Sequence, residues 1–280
     1  MEQRDRTGER CDEVRAFLGE VSGRDLHTKR IGSLAGATLG VMTAASLAVA
    51  LMGPALAQAR GRVTKPAVKQ LDRLLSNDGI DVGSRFAHWV PHQVGTRRDI
   101  LVAMDWTDFD HDAQATLVLS LVTGQGRAAP LLWLSVWQDA LKNQRRACED
   151  SCLQRLSELP PPGCRITILA DRGCGDRKWF AFLDRLGFGD VIRCRGNIHV
   201  TADGQSKPAA EWVGTGGRAR TLRDARVTAK GQQVGAVVCG QAKGMQEPSR
   251  ALRVLPPEDR FAMVPGQQRS RGGGCHAGQS

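Results

Sequence analysis

Two short apolar runs, each ending at an aspartate, are the most regular pattern of hydrophobic and polar positions in the chain. The first spans residues 100–104 and ends at Asp105, and the second spans residues 166–170 and ends at Asp171. Short runs rich in aliphatic residues predict buried strands, and an acid that follows such a run stands at the exposed C-terminal end of its strand. If the two strands are parallel neighbours, their carboxylates face each other across one strand spacing of about 5 Å.

Two carboxylates at that separation predict a divalent cation, because without one they would repel each other. Mg²⁺ prefers oxygen ligands and commonly binds through one or two carboxylates together with phosphate oxygens. Asp105 and Asp171 are therefore candidate ligands for Mg²⁺ or Mn²⁺. The alternative is that both side chains only cap loops by accepting hydrogen bonds from turn amides.

The elements around the two runs follow a characteristic order. Residues 115–122 and 131–137 predict strands that form an antiparallel meander with the first run, because the connecting loops are short. Residues 139–158 predict a helix, which lets the next strand run parallel to the first. A helix at about 176–186 and a strand at 191–194 follow. Three antiparallel strands, a helix and a parallel strand, with acids after strands one and four, predict an α/β fold with a mixed sheet and a ribonuclease-H-like core.

The first 98 residues are predicted to form a helical region. The 29 residues from 31 to 59 carry no formal charge, and 17 of them are Gly, Ala, Ser or Thr, which favours a helix packed closely inside a bundle. The alternative is a membrane span or a signal peptide. So many small and weakly apolar residues leave the free energy of membrane insertion marginal. We therefore expect no membrane association.

A later helix of this region carries a row of cations. Residues 66–76 have the apolar spacing of an amphipathic helix, and Lys65, Lys69 and Arg73 lie at i, i+4 and i+8 on its other side. Such a row suits contacts with a phosphate backbone. The alternative is a solvated face without a partner.

The overall charge points to the same class of partner. A net charge of +10 and a pI near 9.6 favour a polyanion, with nucleic acid the first candidate and anionic lipid the second. The alternative is a basic protein without such a partner. The eight cysteines are scattered without zinc-site spacing and predict reduced thiols in a cytoplasmic protein.

The predicted domains are the helical region (1–98), the core (99–196), a β-rich basic insertion (197–247) and an irregular tail (248–280). The insertion and its border suit phosphate contacts. The arginines assigned to this role are Arg193, Arg195, Arg218 and Arg220. The tail has no periodicity and little to bury, so it is predicted to be disordered.

Several stretches, taken together, resemble bacterial insertion-sequence transposases of the DDE class, in the IS-four group. The likeness covers roughly residues 14–247. Its matching segments are Ala103-Met104-Asp105-Trp106-Thr107-Asp108-Phe109, Ile168-Leu169-Ala170-Asp171-Arg172-Gly173 and residues 191–200 in the core, and parts of 29–43 and 69–76 upstream.

The resemblance implies DNA transposition by a cytoplasmic protein that binds the terminal repeats of an element as double-stranded DNA. It implies that Asp105 and Asp171 are the first two acids of a catalytic triad that holds two Mg²⁺ ions. It also implies metal-dependent strand cleavage and transfer, and a homodimer on paired ends.

The likeness fades near position 248. The family places its third acid, a glutamate, on a helix after the insertion, with a tyrosine, an arginine and a lysine at fixed spacings, and this chain has no tyrosine. The acids that remain, Glu247, Glu258 and Asp259, have no amphipathic helix around them. We therefore expect a copy altered by a frameshift, without its third acid and catalytically defective. The alternatives are a non-catalytic DNA-binding remnant that interferes with intact transposase and a membrane or exported basic protein.

Overall fold

The computed structural model describes residues 2–22, 26–125, 128–171, 177–194, 198–227, 232–240 and 250–254. For residues 2–9, 177, 193–194, 232 and 250–254 it describes the backbone alone. By internal contacts the chain divides into two units. One comprises Met1–Thr96 with Arg155–Pro162, and the other comprises Arg97–Gln154 with Gly163–Ser280.

The first unit is helical. Its helices are α1 (Glu2–Ser22), α2 (Thr28–Ala44), α3 (Val49–Arg60), α4 (Thr64–Leu75) and α5 (Val82–Val94). One buried cluster joins α2, α3 and α4, and its members are Leu39, Met52, Leu56, Ala57, Ala67 and Leu71. Small residues let these helices approach closely: a Cβ added at Gly40 would lie 3.1 Å from the carbonyl oxygen of Met52.

The uncharged stretch at 31–59 is two helices, which corrects the expectation of a single bundle helix. The break lies between α2 and α3, whose axes are bent by 100°. Ala45 ends α2 in the left-handed region (φ 48°), and the Ser46 hydroxyl accepts a hydrogen bond from the amide of Ala48. Among the described residues no single helix is long and apolar enough to cross a membrane, although the bent pair α2 and α3 together meets that criterion.

The second unit is built on a mixed sheet, and its α/β fold is the predicted one. The first part of this unit contains β1 (Asp99–Phe109), β2 (Gln114–Val122), β3 (Ala128–Trp137), α6 (Arg145–Glu158), β4 (Arg165–Ala170), α7 (Arg177–Leu186) and β5 (Gly189–Cys194). The end of α6, from Arg155, is grouped with the first unit. These strands lie in the order β3-β2-β1-β4-β5, with β4 parallel to β1 and to β5. The helix predicted from 139 begins only at Arg145, after a 3₁₀ turn at Asp139–Leu141 and a left-handed Asn143.

The predicted β-rich insertion is divided between two sheets. Its strands, with the strand that follows them, are β6 (His199–Ala202), β7 (Gln205–Pro208), β8 (Arg220–Arg223), β9 (Arg226–Val227), β10 (Gln232–Gln233), β11 (Ala236–Cys239) and β12 (Arg250–Val254). The main sheet continues beyond β5 as β12-β11-β8, and the other four strands form a second sheet in the order β10-β9-β6-β7. The tail from 248 is predicted to be irregular, but Arg250–Val254 forms a strand that pairs with both β5 and β11. Residues 255–280 lie outside the described residues.

A buried carboxyl group lies inside the main sheet. Asp190 is the second residue of β5, is paired with Ile168 of β4, and is 1% exposed. Its Oδ2 atom has no hydrogen-bond partner among the described residues. Burial raises the pKa of Asp190 to about 8, and the nearby Asp184 of α7 adds to the effect. At neutral pH the folded protein therefore keeps this carboxyl protonated.

Replacing this group should change how stability depends on pH. The pKa of Asp190 is about 8 in the folded state, against an ordinary value of 3.8. Between these pH values the folded protein binds a proton that the unfolded chain does not bind. The free energy of unfolding of wild type therefore falls as pH rises from about 4 to 8. Asp190→Asn should lack this loss and be the more stable protein at pH 8. Urea unfolding at pH 5, 6.5 and 8 measures the difference.

Asp224→Asn is the matched control, because Asp224 is exposed and its left-handed backbone (φ 50°) suits asparagine equally well. An Asp190→Asn advantage that is the same at all three pH values would contradict the assignment.

Candidate functional site

The two sequence-predicted acids stand at the ends of adjacent parallel strands. In the β1–β4 ladder Met104 is paired with Ala170, and Asp105 and Asp171 are the residues that directly follow this pair. Both side chains are exposed. Neighbouring strands lie about 4.8 Å apart, so the two acids are separated by one strand spacing at backbone level.

Both acids lie on the same face of the sheet. Side chains alternate along β1, where Ile100, Val102 and Met104 are buried on one face and Asp105 is exposed on the other. Asp171 directly follows β4, in which Ile166, Ile168 and Ala170 are buried. The alternation extended by one residue places this exposed acid on the same side as Asp105. We name the side that carries both acids the acidic face.

The two strands separate at this point. The β1 strand continues to Phe109 and stays paired with β2, whereas β4 ends at Ala170. Beyond Asp105, β1 therefore has a partner strand on one side alone. Ligands of open α/β sheets commonly bind at the carboxyl ends of parallel strands, where both acids stand.

The segment after Asp105 is attached to the start of α6. The indole Nε1 of Trp106 donates a hydrogen bond to Oε1 of Glu149, at 3.0 Å. The Arg145 guanidinium lies 5.1 Å from the centre of the Trp106 ring and forms an ion pair with Asp108 at 2.9 Å. These contacts fix the direction of β1 just beyond the first acid.

Glu149 is a buried acid that sequence reasoning missed. It is 8% exposed, and burial raises its pKa, against the opposing effects of the Trp106 hydrogen bond and of Arg146. Because Trp106 alternates with Asp105, the contact of Glu149 is with the opposite face of the sheet from the two aspartates. A signal was present in the sequence, since Glu149, Cys152 and Leu153 lie at i, i+3 and i+4 and so share one stripe of α6.

The donor set at Asp105 and Asp171 fits a hard divalent cation. Both side chains are exposed carboxylates on one face, and carboxylate oxygens are the ligands that Mg²⁺ prefers. Within the described part of the chain, no group of three or more His, Cys, Asp or Glu side chains is placed to hold a metal. Glu247, Glu258 and Asp259 lie outside the described residues.

The predicted DNA-binding residues fall into two groups, one in each unit. Lys65, Lys69 and Arg73 are all exposed on α4, on the side away from the buried Ala67 and Leu71. Eight residues of helix rise about 12 Å, so the three cations form a row of that length that turns gradually about the helix axis.

The second group is only partly described. Arg193 is described by its backbone alone, and Arg195 lies outside the described residues. Arg218 is exposed, whereas Arg220 forms an ion pair with Asp203 at 3.1 Å and lies 5.0 Å from the centre of the Trp212 ring. Part of the charge of Arg220 is therefore already compensated within the protein.

Comparisons with known proteins add little to this description. No protein-family model matches the chain, and no curated protein matches it. Argonaute of Marinitoga piezophila in complex with a 5′-OH guide RNA aligns with a TM-score of 0.24 and 8% identity over 71% of this chain and 29% of that chain. The same protein with guide RNA and target DNA gives 0.25 and 8% over 73% and 30%. The chain thus spans less than a third of the length of these structures.

The bond between Trp106 and Glu149 generates a stability prediction. Glu149→Ala leaves the indole N–H without its acceptor, which should lower the free energy of unfolding by about 1–3 kcal/mol. Glu149→Gln keeps an acceptor oxygen and removes a charge whose burial is unfavourable, so it should be at least as stable as wild type at pH 7. Urea unfolding at pH 7 compares the three proteins.

The pH dependence provides the control. Since the folded pKa of Glu149 lies above the ordinary value of 4.5, the wild type loses stability as pH rises above that value, and the Gln variant should not. Equal losses in the Ala and Gln variants would show that this hydrogen bond does not hold the segment.

Proposed function

We propose that this chain is a nucleic-acid-binding protein with a DDE-type transposase core, which binds double-stranded DNA at element ends and cleaves strands in a metal-dependent reaction. The observation that carries the proposal is the placement of Asp105 and Asp171 on one face, at the ends of adjacent parallel strands. The order of strands around them is that of the ribonuclease-H-like core that the sequence predicts.

In this proposal Asp105 and Asp171 hold Mg²⁺ or Mn²⁺ through their carboxylate oxygens. Bound divalent ions supply activation of the attacking oxygen and stabilisation of the leaving oxygen in displacement at phosphorus. The contribution of the chain itself is to fix Asp105 through the β1–β4 ladder and through the contacts of Trp106 with α6. Both acids are exposed to solvent, as contact with a phosphodiester requires.

Turnover is proposed to be weak, because the likeness to the family fades before its third acid and the chain has no tyrosine. A two-ligand site holds a second cation poorly, since each lost carboxylate removes both charge and coordination. The same observation favours a second candidate function, which is a non-catalytic DNA-binding remnant that occupies element ends or pairs with intact transposase. The proposed transposase would act in the cytoplasm, as a homodimer on paired element ends.

The exposed row on α4 supports a duplex partner. Lys65, Lys69 and Arg73 form no ion pair with any described residue, so their charge is available to phosphates. The net charge of +10 attracts a polyanion such as DNA and favours fast association with it.

The catalytic proposal predicts the behaviour of three aspartate variants. Asp105→Asn and Asp171→Asn should each reduce Mn²⁺-dependent nicking of terminal-repeat duplex DNA by at least about tenfold, because each removes a metal ligand. They should also weaken Mn²⁺ binding, measured directly by electron paramagnetic resonance.

Asp99→Asn is the matched control, because Asp99 lies at the opposite end of the same strand and forms an ion pair with Arg165. It should leave nicking and Mn²⁺ binding unchanged. Full nicking by Asp105→Asn would exclude this carboxylate from the reaction, and duplex binding without any nicking by wild type would favour the remnant.

The α4 row predicts a change in the salt dependence of duplex binding. Each phosphate contact contributes about 0.9 to the slope of log K against log salt concentration, so Lys65→Ala/Lys69→Ala/Arg73→Ala should reduce the slope by up to about 3. Fluorescence anisotropy between 50 and 300 mM salt measures it. The charge-conserving variant Lys65→Arg/Lys69→Arg/Arg73→Lys should keep the wild-type slope. An unchanged slope in the alanine variant would show that this face is only solvated.

A further inference from the structure

Three exposed aromatic side chains lie on the acidic face. Phe109 is 48% exposed, Trp133 is 40% exposed and Trp137 is 59% exposed. Aromatic side chains carry large apolar areas, and three that are exposed on one face mark a surface that can bind a ligand. We name these three residues the aromatic cluster.

The strand register places Trp133 in line with the two acids. Val118 of β2 is paired with Asp105 on one side and with Trp133 on the other. Trp133 therefore lies two strand spacings from Asp105, or about 10 Å, on the same face.

A β-bulge sets this orientation. The β2–β3 ladder shifts between Leu119 and Ser120, and as a result both Leu131 and Leu132 are buried. Beyond the bulge the alternation is regular, and the side chains of Thr116 and Ser135 form a 2.8 Å hydrogen bond on the acidic face. Trp133 and Trp137 flank Ser135 at two residues on either side and so share its face.

The other two members of the cluster are Phe109, which lies beyond Asp105 on β1, and Trp137, which lies beyond Trp133 on β3. Gln114 is paired with Phe109 on one side and with Trp137 on the other. Trp137 is four residues from Trp133, or about 13 Å along β3. The cluster therefore extends outward from the acids rather than across the buried core.

The chemistry between the rings suits nucleobases better than a protein surface. Thr107, Thr116, Gln114 and Ser135 stand between the aromatic residues and supply hydroxyl and amide groups for hydrogen bonds. Aromatic side chains on a sheet face, separated by polar groups, stack two or three unpaired bases in single-strand-binding proteins. A protein interface core would be more continuously apolar.

Two acids near the aromatic cluster already have partners within the protein, which reduces their repulsion of a phosphate backbone. Asp108 is paired with Arg145, and Asp110 accepts a hydrogen bond from Gln138 at 3.0 Å. Lys142, which follows β3, is exposed and can contact a phosphate.

We infer that Phe109, Trp133 and Trp137 form a stacking platform for unpaired bases of a nucleic-acid strand that leads to Asp105 and Asp171. Only the direction of the strand toward the acids rests on the proposed function. The stacking itself needs no metal and no catalysis.

The test is binding of a twelve-residue oligothymidylate in EDTA, measured by fluorescence anisotropy at fixed salt. Trp133→Ala and Trp137→Ala should each weaken binding by about tenfold, whereas Trp137→Phe should retain most of the affinity. Phe109→Ala should weaken it by a smaller factor, and the matched control Phe17→Ala, which removes an aromatic ring of similar exposure (44%) from the helical unit, should have no effect.

An abasic strand of the same length separates stacking from charge. Wild type and the tryptophan variants should bind it equally, because it has phosphates but no bases. Equal weakening for the thymidylate and abasic strands, or wild-type affinity of both alanine variants for thymidylate, would overturn the inference. A change in sedimentation of Trp137→Ala without a change in strand binding would also overturn it, since a second copy of the chain would then cover the face. Oligouridylate in place of oligothymidylate distinguishes RNA from DNA as the source of the bases.

Two further measurements keep the result interpretable. Stacking should quench tryptophan emission in wild type and less in Trp133→Phe/Trp137→Phe, which preserves the aromatic packing of the strand. Asp99→Asn, which changes a carboxylate at the opposite end of β1, should bind the strand as wild type does. Absence of nicking by wild type, with base-dependent strand binding intact, contradicts only the catalytic proposal. Absence of base-dependent binding by wild type, with nicking intact, contradicts only the platform.

Discussion

The candidate site depends on the parallel pairing of β1 with β4 in one register. Met104 opposite Ala170 places Asp105 and Asp171 at the same level and on the same face. A shift by one residue would turn the side chains of one strand to the other face. One carboxylate would then enter the face occupied by Ile100, Val102 and Met104, where burial without a partner costs several kcal/mol. The buried aliphatic residues of the two strands therefore specify the geometry of the acids.

Acidic side chains are buried on one side of the sheet and exposed to solvent on the other. On the side that contacts α6 and α7, Glu149 of α6 and Asp190 of β5 are buried, and burial raises the pKa of both carboxyl groups. On the acidic face, Asp105 and Asp171 are exposed. The same residue type thus has a structural cost on one side and a possible chemical role on the other.

The sequence predicted the strands that carry the acids because their apolar runs are short, aliphatic and cleanly terminated. It could not predict the break at Ala45, since no glycine, proline or charge interrupts the run between Ala44 and Ala48. Nor could it predict the burial of Asp190, which follows Gly189 as a turn residue would and is buried by strands distant in sequence. Trp133 and Trp137 lie in a run that is apolar at nearly every position, so their face depends on the bulge.

In the proposed reaction, a site with two carboxylates would rely heavily on how the substrate is positioned. Holding reactants in the correct geometry supplies a large part of many rate enhancements without any additional charge. On the acidic face, β1 continues past the end of β4, and the aromatic cluster begins about 10 Å from Asp105 in the same row of the sheet. A base stacked on Trp133 would bring its neighbouring phosphodiester toward the acids through contacts that involve no metal. The open sheet face, and not the carboxylates alone, is then the feature that selects the strand.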